Sequence, residues 1–344
     1  MKKKILYVLL GSALFLLIFL GTAYFGVYSK INAPAFDESA NQSIVYIDEG
    51  KNYKNVLFQL DTLGIKDSKF FELTASYMKY PENVKPGRYA IPSNISYLAL
   101  IRKLRAGEQD PIAFTFNNIR LKEDLVERVG EQFLFGTKTL RQKLNDPEIC
   151  ESLGFDTVTI VSMFIPNTYE IYWNISGDKF LERMKKEYDR FWNEERLKKT
   201  EAISLTPLEV SVLASIVEEE TADPSECPVV AGLYLNRLKI GMLLQADPTV
   251  KFAVGDVTLQ RILYKHLETD SPYNTYKNPG LPPGPIRIPS VATLNAVLNP
   301  TKHNYLYMVA KEDFSGKHNF SRNLSEHNAN ARKYQNALNR AGIR

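Results

Sequence analysis

Apolar residues recur three and four positions apart through much of the chain, interrupted by a few short alternating runs, so helices with occasional strands are expected. Val56, Leu57, Leu60 and Leu63 keep helical spacing from Tyr53 to Leu63, and Gly64 stops that helix. A second helix should run from Ser68 to Met78, and a third from the capping residue Ser96 through Leu104. Ser43–Ile47 and Arg88–Ile91 read as strands, with turns at Asp48–Gly50 and at Pro86-Gly87. Together these make a compact α+β module that lacks any catalytic constellation.

The next region opens on a strand-like segment, Ile112–Phe116. Helices are expected at Lys122–Val129, Lys138–Leu144 and Lys179–Leu197, with Phe164–Glu170 a loop between the last two. Thr206-Pro207 starts another helix as an N-cap followed by a first-turn proline. Val229–Leu238 and Ser325–Ala341 complete the helical pattern. Asp270–Pro289 is rich in Pro, Gly, Asn and Tyr and reads as an ordered loop.

The N-terminus breaks this globular pattern. Lys2, Lys3 and Lys4 precede an uncharged apolar stretch, residues 5–28. At about 1.5 Å per helical residue, such a segment crosses a hydrocarbon core of about 30 Å. It ends in Tyr24-Phe-Gly-Val-Tyr28, with no small-x-small cleavage signal but with aromatic residues suited to a membrane interface. Lysines before the span and Asp37, Glu38 and Asp48 after it put residues 1–4 in the cytoplasm and the rest outside the cytoplasmic membrane. Residues 29–42 read as a linker.

Composition adds exclusions. The chain has 344 residues, enough for two domains, and a formal net charge of +4. Its most basic run, Arg183 to Lys199, is interleaved with acids and carries Leu181, Met184, Tyr188 and Phe191 at helical spacing nearby, so it reads as a solvated helix face. A nucleic-acid partner would need one-sided basic character, and none is present. The four histidines, His266, His303, His318 and His327, lack metal-ligand spacing, and no cofactor is expected. Cys150 and Cys227 are equally readable as a disulfide or as two buried thiols.

One candidate acid stands out. In Val210–Thr221 a helical wheel at about 100° per residue puts Leu213, Ile216 and Val217 within about 60° of Glu220. Glu218 falls about 160° away and Glu219 about 100° away on the same wheel. An acid aimed at apolar surface, without an evident cation, has its charged form disfavoured and its pKa raised. That suits a general acid at neutral pH. The competing reading is a polar helix end made by all three glutamates.

Three later segments carry polar and aromatic groups of a sugar-binding kind. The first is Asn236-Arg237 with Gln245–Thr249, in which Asp247 is also readable as the cap of a helix beginning at Pro248. The second is Ser271–Tyr276 with Gly280–Ile286, alternatively a rigid surface loop or a polyproline ligand. The third is His318–Asn323 with His327-Asn328, by itself only loop polarity.

Taken together, Ala214–Thr221, Asn236–Leu238, Gly241-Met242, Leu244–Val250, Tyr273–Tyr276, Gly280–Ile286, Phe320–Asn328 and Phe164–Tyr169 closely resemble the endolytic murein transglycosylases of the MltG (YceG-like) family. Where that family often has Glu-Gly, this chain has Asn117-Asn118. The resemblance implies an α+β fold: a transmembrane helix, a LysM-like module at residues 43–108 and a larger catalytic domain at 109–344. It implies a lytic transglycosylase that cuts MurNAc-β-1,4-GlcNAc bonds in nascent peptidoglycan strands, leaves 1,6-anhydro ends and ends glycan elongation. The partners would be glycan strands and the peptidoglycan synthases. Glu220 takes the family's catalytic position. Asn236, Gln245, Asp247, Thr249, Tyr273, Asn274, Tyr276 and Asn323 are the expected substrate contacts. A hydrolytic muramidase using Asp247 as second acid, and a non-catalytic wall scaffold, are the alternatives.

Overall fold

The computed structural model of the chain describes residues 2–37, 43–256, 259 and 261–342. It is a mixed α+β protein that divides into two compact units. The first runs to Ala113 and is joined by Glu170–Ile175, and the second comprises Phe114–Tyr169 and the chain from Ser176.

The first unit begins with α1 (Lys2–Ile31), of which Lys4–Ile31 is long and apolar enough to cross a membrane, with a mean hydropathy of 2.4. Residue 1 and residues 38–42 of the expected linker lie outside the described residues. The preceding part of that linker is docked. Ala35 and Phe36 are buried, the Ala35 N–H donates to Ile95 O at 2.8 Å, and Ala35 O accepts the Lys66 N–H at 2.9 Å. Strand β1 (Ser43–Ile47) precedes α2 (Tyr53–Thr62) and α3 (Ser68–Tyr77), then β2 (Gly87–Ile91) and α4 (Tyr97–Ala106). β1 and β2 pair antiparallel with Ser43 opposite Ile91, turning Val45, Ile47, Tyr89 and Ile91 onto α2 and α4 residues such as Leu60 and Leu100. Ser96 caps α4 as its sequence suggests, and Gly107 closes it at φ +76°.

After α4 the chain continues through β3 (Ile112–Phe116), α5 (Lys122–Gly130), α6 (Gly136–Leu144), α7 (Pro147–Ser152) and β4 (Asn167–Ile171), the helices of which belong to the second unit. Within the expected Phe164–Glu170 loop, then, a strand forms and pairs with β3. Tyr169 stacks on Phe116 at 5.8 Å there, and its hydroxyl donates to Ile165 O. The single helix expected at Lys179–Leu197 is two, α8 (Gly177–Phe191) and α9 (Glu194–Ala202). The Asn193 side chain accepts the Arg196 N–H at 3.0 Å and starts a new helix there. Then come α10 (Pro207–Glu220), α11 (Cys227–Lys239), α12 (Asp247–Val254), α13 (Tyr264–Leu267), α14 (Val291–Leu298), β5 (Tyr307–Ala310), β6 (His318–Ser321) and α15 (Leu324–Arg340). Cys150 and Cys227 are both buried free thiols.

The core of this unit is built around α10. Thr206 and Glu209 cap each other's backbone N–H and Pro207 occupies the first turn, so the helix starts where its sequence indicates. Every residue from Val210 to Val217 is buried, which makes α10 a central helix rather than one with a single apolar stripe. Residues of α11 and α14, with Leu244, Ala246 and Ile286, surround it. Ser215 Oγ accepts the Ile286 N–H at 3.0 Å and so ties the proline-rich segment to α10.

Candidate active site

The three glutamates that end α10 have three different surroundings. Glu218 accepts the Ser290 N–H at 2.6 Å and pairs with Arg287 at 3.3 Å. Glu219 accepts from Arg120 at 3.1 Å and also from Arg287. Arg287 is only 7% exposed and donates as well to Asn118 Oδ1, which gives the Asn117-Asn118 departure a structural place. Glu218, about 160° from Glu220 on the wheel, is thus held together with Glu219 by a buried guanidinium.

Glu220 has no ion-pair partner among the described residues. Its Oε1 accepts the Tyr234 hydroxyl from α11 at 2.7 Å. Burial pushes its carboxyl up to about 7; the Tyr234 hydrogen bond opposes this, Asp247 reinforces it, and Arg237 and Lys251 oppose it more weakly. A cation thus stands nearby after all, but Arg237 is committed elsewhere. Its guanidinium donates to Leu306 O and Leu244 O, each at 2.6 Å, fastening the loop before α12 and the start of β5 to α11.

Glu220 faces a cavity of about 220 Å³. Gln245, Asp247 and Tyr276 line it, with Tyr234 and Arg237 of α11, Met308–Ala310 of β5 and His318 of β6. Tyr276 donates its hydroxyl to Asp247 Oδ1 at 2.6 Å, and burial above all keeps that phenol protonated. Asp247 is inside α12, whose cap is Ala246, so its carboxylate serves Tyr276 and not the helix start. Gln245 adopts φ +48°, a left-handed conformation that costs a side-chain-bearing residue about 1 kcal/mol or more. Thr275 holds it there: Thr275 O accepts the Gln245 N–H at 3.1 Å and Thr275 Oγ1 accepts the Ala246 N–H at 3.0 Å.

The other expected contacts lie elsewhere. Thr249 is fully buried, its hydroxyl 2.8 Å from that of Thr275, so it braces the Gln245 turn. Asn274 is fully buried and donates to Leu267 O and Thr269 O, which shapes the loop and leaves no amide for a ligand. Asn236 donates to His303 O and Tyr305 O, at 2.8 and 3.1 Å. Asn323 caps α15 by accepting the Glu326 N–H at 2.9 Å. Tyr273 packs on Phe252 at 4.6 Å and lines a different cavity, with Arg120, Val158 and Pro285. The proline-rich segment does not wall the Glu220 cavity; the β5–β6 hairpin does.

The sequence does not single out Tyr234 or β5. Tyr234 carries a hydroxyl amid the apolar residues of α11, a signal that one buried polar tip needs a partner. Of the hairpin, His318–Ser321 falls in a segment that reads by itself as loop polarity, because four-residue strands leave little alternation to read.

A model of the YceG-like family matches residues 45–333 of the chain. The chain belongs to the YceG-like family. It is 31% identical over 293 residues to the endolytic murein transglycosylase of Bacillus subtilis (strain 168), covering 80% of this YceG-like chain and 79% of that protein. The endolytic murein transglycosylase of Streptococcus pneumoniae serotype 2 is 27% identical, with 94% of this chain and 64% of that longer protein covered. A crystal structure of a YceG-like protein from Listeria monocytogenes superposes with a TM-score of 0.55 at 26% identity, over 85% of this chain and 99% of that one.

Proposed function

We propose that this YceG-like protein is an endolytic lytic transglycosylase that cleaves MurNAc-β-1,4-GlcNAc bonds within peptidoglycan strands, with Glu220 as its acid and base. One observation carries the reading: a carboxyl pushed up to about 7, with no ion-pair partner among the described residues, on the wall of a polar cavity. The protonated Glu220 donates to the glycosidic oxygen as the bond to the anomeric carbon opens through an oxocarbenium-like state. The 6-hydroxyl of the same MurNAc then attacks that carbon and loses its proton to the carboxylate, closing a 1,6-anhydro ring. An attack within one sugar gains from proximity and needs no activated water. Gln245, Asp247 and Tyr276, which line the same cavity, would contact the sugars, and Asp247 also favours the acid's protonated form.

Asp247 in the same cavity favours hydrolysis as the second reading, because a muramidase needs a second carboxylate. Digesting purified glycan strands with the wild-type protein and Glu220→Gln, read by mass spectrometry, separates the two. Anhydro ends that vanish in the variant support the transglycosylase, and reducing ends the muramidase. No cleavage by either form would mean a scaffold.

The wider arrangement belongs to the same proposal. Residues 5–28 anchor the protein in the cytoplasmic membrane with its lysine-bearing tip inside. Residues 43–108 form a LysM-like module, and 109–344 the catalytic domain. Anchoring would restrict cutting to nascent strands beside the synthases. Protease protection of a tagged N-terminus in sealed cells tests the orientation.

A further inference from the structure

The hydrogen bond from Tyr276 to Asp247, 2.6 Å long, is a wall shared by two hollows. Both residues line the Glu220 cavity, and both also line a larger, open cleft of about 600 Å³, a size usual for ligand sites. The opposite side of that cleft is the stretch from Arg261 to Lys265, with Leu267. A glycan strand leaving the Glu220 cavity past Asp247 and Tyr276 would enter it.

One buried side chain holds the two sides of the cleft together. Asn274 is fully buried, and its amide donates to Leu267 O at 2.9 Å and to Thr269 O at 2.8 Å, around the end of α13. Its Oδ1 accepts the Tyr276 N–H at 3.1 Å. Lys277 adds a bond from Nζ to Glu268 O at 2.6 Å. These bonds fix the position of α13 against the segment that carries Tyr276.

The α13 side offers two kinds of chemistry. Tyr264 is 90% exposed, and Leu263 before it is exposed too. Such a ring suits the apolar face of a pyranose, with a hydroxyl left for the sugar's edge. Arg261 and Lys265 are the cations of the cleft, and neither has an ion-pair partner among the described residues. The nearby Glu268 pairs with Lys277 at 3.6 Å. Two cations against the single carboxylate of Asp247 leave a positive surplus, which fits an acidic occupant. The sugar backbone of peptidoglycan is uncharged, whereas the peptide stems on MurNAc end in carboxylates.

Building on the transglycosylase reading, we propose that this cleft is a subsite for a peptide-bearing MurNAc of the bound strand. Its ring lies against Tyr264, and a carboxylate of its stem meets Arg261 and Lys265. The protein thereby distinguishes strands that still carry their stems from strands that have lost them. An exposed ion pair is worth up to about fivefold in affinity, so two give roughly tenfold discrimination at low salt.

The test uses the full-length protein in detergent, on glycan strands with intact stems and on the same strands stripped by an amidase. Wild type should cleave the stem-bearing strands with a KM about tenfold lower and a similar kcat, because the subsite binds ground and transition states alike. Arg261→Ser combined with Lys265→Ser should shrink that difference to about twofold, as should salt raised to about 0.5 M. Tyr264→Ala should raise KM about three- to tenfold on both strands. Equal KM values for the two strands with wild type would overturn the proposal. So would a double variant that keeps the full difference, or an unchanged KM in Tyr264→Ala. Affinities of Glu220→Gln for the same strands separate this inference from the reading beneath it. A stem preference in binding upholds the subsite even where wild type releases no anhydro ends, which is failure of the transglycosylase reading alone.

Discussion

Tyr234 donates its hydroxyl to Glu220 at 2.7 Å across the contact between α10 and α11, and this bond opposes the burial that raises the acid. A donor stabilises the charged carboxylate, whereas the nearby Asp247 destabilises it. Glu220 must be protonated to act, so cleavage should hold below about pH 7 and decline as pH rises through that value. Tyr234→Phe removes the donor and should move the decline to higher pH. Asp247→Asn removes the repelling charge and should move it lower. Profiles of kcat/KM against pH for the three proteins check both directions; shifts of the same sign would refute this account of the acid.

The same carboxyl makes stability depend on pH. Its pKa is raised in the fold from an ordinary 4.5 to about 7, so the native state holds the proton more tightly than the unfolded chain. Stability is therefore full below about 4.5 and falls as pH rises through 7. Glu220→Gln removes that loss. The variant should gain on wild type between pH 5 and pH 8 by up to about 3 kcal/mol in denaturant unfolding. An equal response of the two proteins to pH would count against a buried, proton-holding Glu220.

Arg287 neutralises Glu218 and Glu219 together and is 7% exposed. Arg287→Leu would leave both carboxylates largely enclosed, with Arg120 the remaining ion-pair partner of Glu219 among the described residues. A loss of about 3 kcal/mol or more in unfolding free energy is expected. Adding Glu218→Gln and Glu219→Gln to that variant should recover much of the loss, measured by urea titration.

Gly232 lets α11 approach the chain before β5 closely. A Cβ at that position would meet Thr301 O at 2.5 Å and His303 Nε2 at 2.9 Å. Gly232→Ala should cost about 1–3 kcal/mol and lower activity, because the displaced segment leads into the hairpin that walls the Glu220 cavity. Thermal melts and the glycan assay would report the two effects.

The amino-acid order alone settles what depends on neighbours in the chain. The start of α10 follows from Thr206, Pro207 and Glu209, because capping and a first-turn proline act over four residues. The position of Glu220 at that helix's far end follows from the same local signals, as does the apolar length of α1. Where local signals ran short, reading failed: β4, β5 and β6 are brief, and Asn193 divides α8 from α9 at a point where the helical period continues. What each glutamate becomes is decided by tertiary structure. Arg287 reaches Glu218 and Glu219 from a distant segment, Tyr234 reaches Glu220 from the next helix, and the hairpin brings His318 to the same hollow. A helical wheel gives a direction but not what lies along it. Proton affinity is set by desolvation and nearby charge, and both come from residues that only folding brings together.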